Sequence, residues 1–346
     1  MMTTHGDARA SMHTNEANMG AISRRTVLGG GTAAGVLGSG MVPRSACAAP
    51  VTLRIGYGGA AEEPLWLLIA KPELGRHHGK LYMIDGTKFQ GADKRAQAFE
   101  ADAIDLAAGG ANGVIFAAAE GVTAKIIASI CRESSRGFST SYYAKAQSSI
   151  KSVPDLKGKI VGLNGFSTSG HLWLWAALGK HGLSDADVTI APIPFSAMQE
   201  ALIAGKIDVG EFPQPFAALL EKDAPANKVF DAKYGLPFDE ELDVIIGKGA
   251  FLEKNSVAVR AFLEDLKDSM RFYLEQPKEA RQLLIDSRMV RVSPDVYLEM
   301  KDYYRDATLR PDLDALIKMQ EFQVKAGFQK KSIDMRSVVD PSYLPN

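Results

Sequence analysis

From residue 51 the chain alternates short apolar runs with amphipathic helical stretches, and it does so twice. Residues 52–57, 80–84 and 105–108 read as strands, with 64–74, 93–101 and 112–119 as helices and 123–131 continuing the alternation. The second series predicts strands at 159–163, 188–193 and 207–210 and helices at 170–181 and 197–204. Such an alternation is satisfied by a mostly parallel sheet with helices on its faces. The chain therefore reads as two α/β units. A helical tail follows over 257–274, 277–285, 293–304 and 313–326. Its first helix sets Val259, Phe262, Leu263, Leu266 and Met270 at near-helical spacing, and Ser293 with Pro294 supplies a start signal for the third. Helices this numerous need a surface already built to pack on.

The two units share an internal echo. Ala98-Phe99-Glu100-Ala101-Asp102-Ala103-Ile104-Asp105-Leu106 aligns without gaps with Ala201-Leu202-Ile203-Ala204-Gly205-Lys206-Ile207-Asp208-Val209. Each reads as a helix with its apolar face on a sheet, a tight turn, then an Ile-Asp pair entering the next strand, so the lobes are expected to share a topology. Polar, Ser-rich stretches at 132–141 and 148–157, and the segment 231–241 with Pro237, read as crossings or hinges.

The first 48 residues are not read as part of this fold. Ser23-Arg24-Arg25-Thr26-Val27-Leu28 followed by a Gly-rich apolar run to Val42 is a twin-arginine export signal. That run is shorter and weaker than the roughly twenty apolar residues of a membrane span, and Ala46-Cys47-Ala48 offers a small-residue cleavage site. A lipid anchor at Cys47 is disfavoured because Arg44-Ser45-Ala46 lacks the apolar residue expected before a lipidated cysteine. With cleavage, Cys131 is the only thiol, set in the apolar run 124–131 and read as buried filler. A net charge of −1 gives no basic excess for nucleic acid, and two cysteines cannot build a disulfide framework or a structural zinc site.

By their order, several motifs resemble the periplasmic solute-binding proteins of ABC importers, in the nitrate, sulfonate and taurine branch. They are Leu53-Arg54-Ile55-Gly56-Tyr57 with Pro64-Leu65, the two helix-turn-Ile-Asp elements, Val153-Pro154-Asp155-Leu156-Lys157-Gly158-Lys159-Ile160-Val161-Gly162, and Phe251-Leu252-Glu253-Lys254. The resemblance spans the chain beyond the export signal. It implies a two-lobed α/β periplasmic binding protein fold (type II), with lobe one at 49–143 and 244–346, lobe two at 144–243, and ligand in the cleft between them. It also implies a monomer without cofactor or catalytic activity, located in the periplasm, that hands a small-molecule ligand to a membrane permease.

In a parallel α/β sheet the ligand crevice lies beyond the carboxyl ends of the strands, where helix N-termini aim N–H groups inward. That rule selects Gly59, Glu62 and Glu63 after the first strand, Asn112 after the third, and Phe166, Ser167, Thr168, Ser169 and His171 at the start of a lobe-two helix. Phe195, Glu211 and Phe212 complete the set. The hydroxyls of 167–169 form a donor-rich turn suited to a carboxylate or sulfonate, although one of them is needed to cap the helix. Glu62 and Glu63 would repel a small inorganic anion, which favours an organic solute of the sulfonate, carboxylate or aromatic acid class. Two rival readings remain. Gly56-Tyr57-Gly58-Gly59-Ala60-Ala61 fits G-x-G-x-x-A, with Asp85 ending the next strand, as an exported NAD(P)-dependent oxidoreductase would have. Gly165-Phe166-Ser167-Thr168-Ser169 approaches a hydrolase nucleophile elbow but lacks its last glycine.

Overall fold

The computed structural model describes residues 49–236 and 238–345. The segment read as an export signal with its cleavage site, Cys47 and Pro237 lie outside the described residues. Ten strands run in chain order: β1 Val51–Tyr57, β2 Tyr82–Lys88, β3 Leu106–Gly110, β4 Lys125–Glu133, β5 Ser141–Lys145, β6 Ile160–Leu163, β7 Thr189–Pro192, β8 Val209–Phe212, β9 Ala226–Asp231 and β10 Glu240–Gly247. The helices are α1 Glu63–Ala70, α2 Ala92–Glu100, α3 Ala111–Ala119, α4 Ser169–Gly179, α5 Phe195–Ile203, α6 Phe216–Asp223, α7 Ala232–Gly235, α8 Gly249–Lys254, α9 Ser256–Glu275, α10 Pro277–Asp286, α11 Pro294–Tyr297 and α12 Leu313–Lys325. Among the described residues no helix is long and apolar enough to cross a membrane.

The strands form two five-stranded sheets with matching order, β2-β1-β3-β10-β4 and β7-β6-β8-β5-β9. In each, one strand alone runs against the others: β10 is antiparallel to β3 and β4, and β5 to β8 and β9. These reversed strands are the ones that enter a lobe directly after a crossing. Because β5 lies wholly in the second sheet and β10 wholly in the first, the chain passes to the second sheet after β4 and returns to the first after β9. β5 (Ser141–Lys145) accordingly stands in the second sheet and β10 (Glu240–Gly247) in the first.

The echo has a physical basis. At its turn Asp102 (φ 59°) and Gly205 (φ 71°) take the same left-handed conformation, and the next N–H in each case, of Ala103 or Lys206, bonds back to Ala98 or Ala201 at 2.9 Å. Three residues on, the aspartates repeat one clamp. Asp105 Oδ2 accepts from Arg54 N at 3.2 Å while its own N–H donates to Arg54 O at 2.8 Å. Asp208 Oδ2 accepts from Ile160 N at 2.8 Å while its N–H donates to Ile160 O at 2.9 Å. Each aspartate thereby fixes the start of β3 or β8 against the central strand beside it.

Lobe one packs α1, α9 and α10 on its sheet, and every apolar residue picked out in the 257–274 stripe is buried. Lobe two buries Leu163, Leu172 and Trp173 on one face and Met198, Leu202 and Phe212 on the other. Two expectations fail. The stretch 148–157 is not a crossing but a capped turn within lobe two, where Ser152 and Asp155 bond to each other's backbone. The helix expected over 293–304 stops at Tyr297, because the following segment is recruited as a third connection along the hinge. Its backbone accepts from Ser129 N at Leu309, from Arg132 N at Tyr304 and from Phe138 N at Asp302, at 2.7–2.9 Å. Tertiary pairing there overrides helical propensity. The clamp is testable by urea denaturation: Asp208→Ala, which orphans the Ile160 N–H, is expected to cost about 1–2 kcal/mol, and Asp208→Asn, which keeps an acceptor, less.

Candidate functional site

Between the two sheets lies a cavity of about 650 Å³ lined from both lobes. Lobe one contributes the loop after β1 (Gly58, Gly59, Ala60, Glu62), Trp66 of α1, Lys88 and Phe89 after β2, Arg95 of α2, and Asp243 of β10; lobe two contributes Asn164, Phe195, Ser196, Gln199 and Phe216. This is the crevice at the carboxyl ends of β1, β6 and β8 that the sheet topology demands. Arg288 and Arg291 stand exposed at the rim, with no ion pair among the described residues.

The loop after β1 is built around charge neutralisation. Glu62 is buried, accepting from Gly58 N at 2.8 Å and from Arg95 Nη1 at 3.0 Å. Burial pushes its carboxyl up, opposed by Arg95, by the Gly58 N–H and by the indole of Trp66, which stands close without completing a regular hydrogen bond. Gly58 is required here, since a Cβ would stand 2.7 Å from Arg95 Nη1 and 2.9 Å from Glu62 Oε1. Glu63 faces away from the cavity. It pairs with the fully buried Arg305, which also donates to Ala61 O at 3.0 Å and to Asp302 Oδ2 at 3.0 Å. Both glutamates of the loop are thus spoken for by arginines, so the repulsion of small anions argued from this pair does not hold as stated.

Asp243 is different. Its carboxyl lines the cavity and meets no hydrogen-bond donor among the described residues. Burial pushes it up to about 7, Glu62 adds to the shift, and Arg95 and Arg305 oppose it. Lys88 is lowered, mainly by desolvation.

Of the residues chosen from sequence, Gly59, Glu62 and Phe195 line the cavity; the others do not. Asn112 is buried between lobes, donating to Ser169 Oγ at 2.9 Å and accepting from Gln323 Nε2 at 2.8 Å. Thr168 caps α4, accepting from His171 N at 3.3 Å, and Ser167 holds a left-handed turn at φ 57°. The ring of His171 is fixed by Ser167 N at 3.1 Å and Asp185 at 2.9 Å, and Phe166 is exposed outside the cavity with its ring edge-on to His171. Glu211 lies beneath α4, accepting from Asn164 N at 3.2 Å, and Phe212 is core. From that loop only Asn164 lines the cavity, while Thr168 caps α4 and Ser169 Oγ accepts from Asn112 of lobe one. Asp243, Arg95 and Lys88 were missed. Asp243 carried a signal, as the acidic break in the apolar run Leu242 to Ile246 of a central strand.

The family model described as NMT1/THI5 like matches residues 88–280, a span that includes Arg95, Asn164, Phe195 and Asp243. The chain belongs to the NMT1/THI5-like family. Within curated relatives, a Haemophilus influenzae protein named for thiamine biosynthesis is 28% identical over 199 residues, covering 55% of this chain and 61% of that protein. The chain thus spans less than two thirds of that relative's length. Among solved structures, the alkanesulfonate-binding protein SsuA of Xanthomonas axonopodis pv. citri, bound to MOPS, superposes with TM-score 0.70 at 20% identity, covering 85% of this chain and 99% of that one. The periplasmic nitrate-binding protein NrtA of Synechocystis PCC 6803 gives 0.69 at 12% identity, covering 85% and 87%. The family fold is therefore the two-lobed periplasmic binding protein fold.

Nothing supports the dinucleotide reading of residues 56–61: the Gly58 N–H that would cradle a pyrophosphate is taken by the carboxylate of Glu62, at the N-terminus of α1. Among the described residues no group of three or more His, Cys, Asp or Glu is placed to hold a metal ion.

The buried acids have a thermodynamic consequence. Burial holds Glu133 and Glu211 at about 7 and Glu240 at about 8, alongside Asp243. In the unfolded chain these groups ionise near 4, so between about pH 4 and 8 the folded state binds more protons, and stability falls as pH rises through that window. The melting temperature is expected to be higher at pH 5.5 than at pH 8.5; a melting temperature that does not fall toward pH 8.5 would contradict the raised carboxyls.

Proposed function

We propose that this chain is the periplasmic solute-binding component of an ABC importer, exported by the twin-arginine route, acting as a monomer and handing its solute to a membrane permease. The observation that carries the reading is a cavity of about 650 Å³ walled by side chains of two lobes of matching topology. A site divided in this way is completed only when the lobes approach. A solute that touches both lobes favours the closed state by its differential affinity, and the closed state is what a permease would recognise. The fold is shared with binding proteins for alkanesulfonate and nitrate, which supports transport rather than catalysis.

The walls favour a small organic solute over an inorganic ion. Tyr57, Trp66, Phe89, Phe195 and Phe216 present ring surface from both lobes, which suits a planar or apolar body. Lys88 and the rim arginines offer positive charge for a polar tail.

A thermal-shift screen of the mature protein tests this reading, against sulfonates, aliphatic and aromatic carboxylates, nitrate, pyrimidines, amines and nicotinamide dinucleotides. A solute at about a hundred times its dissociation constant adds about 2.7 kcal/mol of stability. The expected result is a clear shift with a small organic solute that is recovered chemically unchanged. Turnover of that solute, or a shift with dinucleotides alone, would overturn the proposal.

A further inference from the structure

The cavity holds two acids that differ in one respect. Glu62 is saturated by Gly58 N and Arg95, whereas the Asp243 carboxyl has no donor within reach among the described residues. Asp243 is fixed in place: β10 is hydrogen-bonded on both sides, with Asp243 opposite Gly110 of β3 and Cys131 of β4. Gly110 carries no side chain that could cover or pair with it. The charged and titratable groups that face Asp243 are Glu62 and Glu63 at the start of α1, Arg95 of α2, Arg305 of the hinge segment and the Cys131 thiol of β4. Each arginine is already engaged, Arg95 by Glu62 at 3.0 Å and Arg305 by Glu63 and Asp302. A half-buried acceptor left open in the wall of a cavity that also presents five rings calls for a complementary donor on what fills it, and such contacts discriminate more sharply than apolar fit.

Resting on the solute-binding reading above, we propose that Asp243 is the specificity-determining acceptor for an N–H group of the solute, so that the substrate class is an organic molecule bearing a protonated amine, an amidine or an amino-substituted heterocycle. A wholly anionic sulfonate or carboxylate would place its charge against Asp243 and is disfavoured. The exposed Arg288 and Arg291 leave room for an acidic tail at the rim, where solvent screens their charge.

The direction of pH dependence separates the two classes. A solute that donates to Asp243 needs the carboxylate ionised, so its affinity rises with pH and levels off once Asp243 has ionised, near pH 7. A solute that accepts from Asp243 needs the acid form, so its affinity falls over the same range.

The experiment uses the mature protein with benzylamine and benzamidine, matched in size by benzoate and phenylmethanesulfonate, followed by thermal shift and calorimetry from pH 5.5 to 8. Benzylamine and benzamidine stay protonated throughout. The expected result is binding of one or both cations, several-fold tighter at pH 8 than at pH 5.5. In Asp243→Asn, whose melting confirms folding, cation affinity is expected to drop at least tenfold and lose its pH dependence. No binding by either cation, binding by the anions alone, or affinity that falls with rising pH each overturns the assignment. A cation that binds equally to Asp243→Asn does so too. The solute-binding reading stands or falls separately, on whether any solute of the broader screen is bound and returned unchanged.

Discussion

A guanidinium with no solvent exposure organises the first lobe. Arg305 is buried completely, and a charge taken out of water is costly, by several kcal/mol, unless partners surround it. Those partners come from separate parts of the chain: Glu63 and the Ala61 carbonyl at the start of α1, the Ile130 carbonyl of β4, and Asp302 of its own segment. Satisfying one side chain therefore locks the loop after β1, the strand that leads into the first crossing, and the third hinge segment into one arrangement. Tyr303, next in chain to Asp302, then reaches into lobe two, its hydroxyl bonding to Thr140 at 2.9 Å and accepting from Gln214 N at 3.2 Å. The mouth of the cavity and the seat of the hinge depend on the same buried charge.

That arrangement also sets the electrostatics of the cleft. Two arginines consume the two glutamates that follow β1, so the loop is close to neutral, and the remaining acid of consequence is Asp243. Around the hinge two buried acids are held by neutral donors, Glu133 by Thr140 N at 3.0 Å and Glu240 by the Trp173 indole N–H, while the neighbouring Glu241 is paired with Arg132 at 2.8 Å. Lys233 lies close enough to Glu133 and Glu240 to offset both in part. Arginine thus compensates Glu62, Glu63 and Glu241, whereas burial raises the carboxyls of Glu133 and Glu240, which have neutral donors.

Much of this was legible in the residues, and the misses have identifiable causes. The two α/β lobes and their shared topology follow from alternation and from the Ile-Asp echo, because the helix-turn-Ile-Asp element is contiguous in sequence even though the strand each aspartate clamps lies 51 or 48 positions earlier. Glu63 was misassigned because its partner lies 242 positions away, and no local pattern announces a buried ion pair of that range. The hydroxyl run at 167–169 was ambiguous between capping and ligand binding, and Thr168 took the cap. The Ser-rich stretch at 148–157 was misread because composition alone does not distinguish a solvated turn from a crossing. Residues 298–304 left helix geometry because β4 and the first crossing offered their backbone better partners.

The central claim is that one solute is gripped by both lobes and draws them together. Small-angle X-ray scattering of the mature protein, with and without the solute that gives the largest melting shift, tests it most directly. The account predicts a smaller radius of gyration at saturation. An unchanged radius with the solute bound would contradict closure and leave the cavity a site served by one lobe alone.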